Sequence, residues 1–161
     1  ASEPNNEYVL VPGLPLFGPK QQPLTILAMK NRFLISQPDL FSHCPLLEDP
    51  APSLVNDYVC LPKWYLLSKR VIDLETMNAF VKDPGSWVLD RAVVYIYSGI
   101  LFWKLRHEEI FSDALIRCAD TYSQLHRSRT CIAFINERIS IAQHPSSRMV
   151  GLVPSIKPYA K

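Results

Sequence analysis

His107-Glu108-Glu109-Ile110-Phe111 begins like a helical zinc-protease motif, but Phe111 stands where a second histidine is needed to bring two ring nitrogens to one ion. The other histidines, His43, His126 and His144, are scattered, and the one local pair with a second ligand type is His43-Cys44. No metal site is expected. A cysteine nucleophile needs a base within hydrogen-bond reach and a lowered thiol pKa. Cys44 beside His43 comes nearest to that arrangement; Cys118 falls on an apolar face, and Cys60 and Cys131 adjoin hydrophobic residues. Ser98-Gly99 lacks the first glycine of a nucleophile elbow, and Gly13 and Gly18 lead into no phosphate-binding lysine. Glu48-Asp49 and Glu108-Glu109 are adjacent acids, and adjacent residues on a helix point about 100° apart, so spacing alone makes no dyad. Neither a catalytic residue nor a cofactor is expected. An enzyme would have to assemble its site from distant positions, with His43 or Cys44 as candidates.

Charge adds a second candidate. The net charge is +2, but residues 104–161 hold nine Lys/Arg against five Asp/Glu, while residues 1–103 hold eight against ten. Arg106, His126, Arg127, Arg129 and Arg138, with Arg148, could contact phosphates if their segments fold back together, and Tyr122 could stack on a base. No recognised nucleic-acid-binding motif accompanies them.

The third candidate is the first 23 residues. Pro4, Pro12, Pro15, Pro19 and Pro23 stiffen a segment that also carries Tyr8, Val9, Leu10, Val11, Leu14, Leu16 and Phe17. A free linker would not bear so much apolar surface. The segment is expected to lie extended in a groove of its own body or of a neighbouring chain, with Val11, Leu14, Leu16 and Phe17 as partner-binding residues.

These candidates must be positioned by the elements behind them. Residues 24–36 read as a short helix after Pro23 or as two strands turning at Lys30-Asn31. From Pro62, the spacing of Trp64, Leu67, Val71, Leu74 and Met77 predicts an amphipathic helix. Trp87 to Leu105 is apolar nearly all round; Ser86 as N-cap and the length favour a buried helix, Val93 to Tyr97 favour a strand, and Gly99 suggests a kink. Ile110, Phe111, Ala114, Leu115, Cys118, Ala119, Tyr122 and Leu125 trace one face of a third helix, and Ile132, Ile135, Ile139 and Ala142 a fourth, although Ile139 and Ile141 also fit strand alternation. The tail beyond Pro145 reads as extended and loosely packed. The fold expected is therefore mainly α, with α+β as the alternative: an arm over 1–23 and a single domain over 24–161, a bundle of about four helices from residue 62 onward.

With 161 residues, 48% of them hydrophobic, the chain can bury a core without disulfide or metal support. Its longest uncharged run, Ala92 to Trp103, falls short of the ~20 apolar residues of a spanning helix. Four cysteines without a C-x-x-C pair, no N-x-Ser/Thr acceptor and no apolar leader point to reduced thiols in an intracellular setting, cytoplasmic or nuclear. The function expected is non-enzymatic, a protein–protein interaction or self-assembly module with a protein partner or a second copy. Nucleic-acid binding is the runner-up.

Overall fold

The structure, a computed structural model, describes residues 8–41, 59–69, 71–73, 87–111, 114–123, 128–143, 150–151, 153 and 155–156. Its strands are β1 (Tyr8–Pro12), β2 (Leu16–Phe17), β3 (Gln22–Pro23), β4 (Trp64–Ser68), β5 (Trp87–Val88), β6 (Leu115–Ser123), β7 (Ser128–Ile135), β8 (Arg138–Gln143), β9 (Val150–Gly151) and β10 (Ser155–Ile156); its α-helices, among the described residues, are α1 (Ile26–Phe33) and α2 (Ala92–Arg106). A 3₁₀ turn covers Pro38–Phe41. The strands form one sheet in the order β1-β4-β10-β5, a second in the order β8-β7-β6-β9, and the small ribbon β2-β3. The molecule is mixed α and β, and the expected four-helix bundle is overturned.

α2 is the element the sequence described best, although it starts at Ala92 with Arg91 as its N-cap, and Trp87–Val88, expected in its first turn, form β5. Ala92 to Ile96 and Ser98 to Ile100 are all buried, as its all-round apolar character requires. Ser98 donates its hydroxyl to Val94 O at 2.7 Å, so its one polar group inside is satisfied. Gly99 marks a close approach and not a kink: the helix runs through it, and a Cβ there would lie 2.4 Å from the Phe134 ring of β7. Phe102 faces the other way, with Lys69, just past β4, 6.0 Å above its ring. One hydrophobic core therefore extends from Val9, Val11 and Leu67 through Tyr95 and Ile96 to Ile116, Ile132, Ile139 and Ile141.

The start of α2 is not capped by its own chain neighbours. Arg91 in the N-cap position supplies no side-chain hydrogen bond. The Asp120 carboxylate reaches across from β6 to accept the Ala92 N–H, and a negative group at a helix N-terminus also meets the dipole favourably. The register of β6 against β7 shifts between Arg117 and Thr121, and within that bulge Ala119 N–H donates to Asp90 O at 2.8 Å. The bulge thus aims Asp120 at the helix.

Three expected helices fail for specific reasons. Residues 64–68 of the first form β4, with Tyr65, Leu67 and Ser68 buried; the rest of that prediction from residue 74 lies outside the described residues. In the third, residues 115–123 form β6, where Ile116, Cys118 and Asp120 are the buried row. A carboxylate in the buried row broke the visible alternation, while Ala114, Leu115 and Ala119 imitated a helical stripe. The fourth is the β7–β8 hairpin, with Ile135 opposite Arg138 and a two-residue turn at Asn136-Glu137. Both turn residues have positive φ, 50° and 61°, as the twist-matched hairpin turn demands. For residues 24–36 the helical alternative is the observed one, with Thr25 Oγ1 accepting the Ala28 N–H. The tail is less loose than expected: Val153 is fully buried, and β10 joins β4 to β5.

Candidate protein interface

β1 is the edge of its sheet, and among the described residues its strand partner is β4. The register sets Val9 against Leu67 and Val11 against Tyr65; all four are buried and form the inner face. The intervening pairs, Leu10 with Leu66 and Pro12 with Trp64, lie on the outer face because side chains alternate along a strand. There Leu10 is 57% and Trp64 62% exposed. Leu61, whose carbonyl oxygen crowds Gly13, and Leu14, next in sequence, are exposed as well and extend the patch past the strand ends. Gly13 itself donates to Lys63 O at 2.8 Å, and a Cβ there would come within 2.0 Å of Leu61 O. Glycine is what lets the chain leave β1 along β4.

Of the four residues assigned to the arm, Val11 is therefore a core residue, Leu14 and Leu16 are half exposed, and nothing is described of the Phe17 side chain. Leu10, Leu66 and Trp64, which the structure sets on the outer face, were not among the four. Reading 64–68 with a period of two would have paired Trp64 and Leu66 on one face; the helix reading separated them.

Of the candidate arginines, Arg106, Arg129 and Arg138 are described, and Arg148 is not. His126 and Arg127 lie outside the described residues. Arg129 stands near the start of β7, where it donates to Ala119 O at 2.7 Å, and Arg138 stands opposite the end of the same strand. At the rise of a strand these two are ~20 Å apart. Arg106, exposed at the end of α2, has its guanidinium 5.5 Å from the Phe102 ring centre.

A buried polar cluster lies at the start of α2. Tyr95 donates its hydroxyl to Val153 O at 2.7 Å and accepts the Asp90 N–H at 2.8 Å. Burial pushes the Tyr95 hydroxyl, the Cys118 thiol and the Asp120 carboxyl above their ordinary pKa values, Asp120 against the opposing pull of the Ala92 N–H and of Arg91 and Arg129. These groups join helix, β6 and tail, and they work as cross-braces. Cys60 and Cys131 are likewise free, buried and raised by burial, Cys131 to about 11, so their thiolates, the nucleophilic form, are scarce at neutral pH. His43 and Cys44 lie outside the described residues.

An apolar crevice of ≈ 30 Å³ between α2 and the β7–β8 hairpin, lined by Gly99, Ile100, Trp103, Phe134 and Ile139 among others, has room for about one or two waters. A broader groove of ≈ 280 Å³ runs between the 3₁₀ turn and Asn136, Glu137 and Arg138. Among the described residues no group of His, Cys, Asp and Glu is placed to hold a metal ion, and no helix is long and apolar enough to cross a membrane. Comparison with protein-family models, with curated proteins and with solved structures yields no match.

Proposed function

We propose that this protein is a non-enzymatic self-assembly module whose outer β1–β4 face binds a second copy of the chain. The observation that carries the reading is the outer row of the edge strand β1 and its neighbour β4, where Leu10 and Trp64 are mostly exposed beside the half-buried Leu66 and Pro12. An edge strand is a ready template for another strand, and soluble proteins commonly blunt it with charge. Val9, Leu10 and Val11 carry none, and only Pro12, at the strand's end, interrupts its donors. A two-fold pairing of identical β1 edges would join two copies of the same patch, the usual geometry of closed dimers.

Cross-linking tests this. A Leu10→Cys variant is expected to form a covalent dimer under mild oxidation. Ile135→Cys, equally exposed on the hairpin, is expected to remain monomeric. Equal cross-linking at both positions, or none at Leu10→Cys, would remove the proposal.

A further inference from the structure

We propose that the adjoining C-terminal ends of α1 and α2 form a second surface, one that docks on an anionic lipid membrane. Lys104 Nζ lies 5.5 Å from the Phe33 ring centre and 4.7 Å from that of Trp103, which sets the last turns of the two helices side by side. Here the chain projects aliphatic side chains into solvent: Leu34 and Ile35, just past α1, are 55% and 95% exposed, and Leu105, in the last turn of α2, is 73% exposed. Ile35 sits in the turn that follows α1, so it protrudes and lines no recess.

The same two turns carry Lys30, Arg32, Lys104 and Arg106. Among the described residues, no carboxylate is in ion-pair contact with any of the four; the nearby Glu108 holds Lys69 at 2.8 Å, and Glu109 is exposed. Helix C-termini favour cations, which accounts for the charges but not for three bare aliphatic side chains beside them. Protruding aliphatic groups ringed by Lys and Arg match the boundary of an anionic bilayer. The aliphatic groups enter the headgroup region while the cations meet lipid phosphates and carboxylates.

The test is flotation with vesicles of pure phosphatidylcholine and of phosphatidylcholine with phosphatidylserine in equal parts. The full chain is expected to float with the second and not with the first, and to be released by high salt. Leu34→Ser with Ile35→Ser, and separately Lys104→Ala with Arg106→Ala, are each expected to lower binding about tenfold. Circular dichroism is expected to be unchanged, since these side chains are largely exposed. Leu10→Lys, on the other surface, is expected to bind vesicles normally, so failure here and failure of the self-assembly reading are separable. Absence of binding to the anionic vesicles overturns the proposal, as does undiminished binding by both double variants. Binding to polyglutamate in place of anionic vesicles would also overturn it and assign the patch to an acidic protein.

Discussion

The antiparallel pairs β1–β4 and β7–β8 turn the same kind of residue inward: Val9, Val11, Tyr65 and Leu67 in the first, Ile132, Phe134, Ile139 and Ile141 in the second. Their other faces differ. In β7–β8 the alternate positions are Cys131, Ala133 and Ile135, opposite Ala142, Ser140 and Arg138; Cys131 and Ala133 are buried, and Ile135, beside the turn, is the one large apolar side chain left exposed. In β1–β4 they are Leu10, Pro12, Trp64 and Leu66, with Leu10 and Trp64 mostly in water. The inner rows explain why both pairs fold. The first pair leaves two large apolar side chains mostly in water, Leu10 and Trp64, and the second leaves Ile135 alone, beside its turn.

That contrast can be broken first at the level of stability. Ile141→Ala, in the fully buried row, is expected to cost about 3 kcal/mol in urea unfolding. Leu10→Ala is expected to change stability by no more than about 0.5 kcal/mol. Similar losses at both would mean that the outer row is structural. The glycines repeat the comparison. Gly13→Ala drives a Cβ against backbone oxygens of Leu61 and Lys63 that cannot swing away, and a loss of about 3 kcal/mol is expected. Gly99→Ala meets only the Phe134 ring, which can shift, and gains helix propensity. Its net cost is expected near 1 kcal/mol in the same assay.

Smaller effects sharpen the picture of the β6–β7–β8 sheet. Glu137 holds a left-handed φ of 61° in the hairpin turn, so Glu137→Gly is expected to raise stability by about 0.5 kcal/mol, read as a higher urea midpoint. Asp120 adds a pH dependence. Its folded pKa is raised by burial, so the native state holds a proton that the unfolded state releases from about pH 4 upward. Its contribution is full below that value and declines as pH rises through the folded pKa. Asp120→Asn keeps an oxygen for the Ala92 N–H but loses this titration. Its urea midpoint relative to the parent is expected to rise from acid toward neutral pH; a constant difference would mean that Asp120 does not titrate across that window.

The sequence favoured a helix at α2 because an all-round apolar segment of that length has few other solutions, although Val93 to Tyr97 kept a strand open; at α1 it left helix and strands equal, and the Thr25 cap decides for the helix. It hid β6, where a buried Asp120 interrupts the alternation and alanines complete a false helical stripe. It hid the hairpin because Glu137 occupies a turn position where glycine would have announced it. Recognising residues 1–23 as too apolar to float free led to β1, but two of those apolar residues, Val9 and Val11, are spent inside the domain. The outward row could not be seen until β4 was known to be a strand paired with β1, since the patch is shared between segments more than fifty residues apart in the chain.

Light scattering of the purified chain, beside a Leu10→Lys/Trp64→Lys double variant, tests the assembly claim most directly. The parent is expected to approach twice its 18.4 kDa mass as concentration rises, and the variant to stay at that mass while melting at the parent's temperature. A parent that remains at the single-chain mass at every concentration, or a variant that associates as readily, would contradict the account.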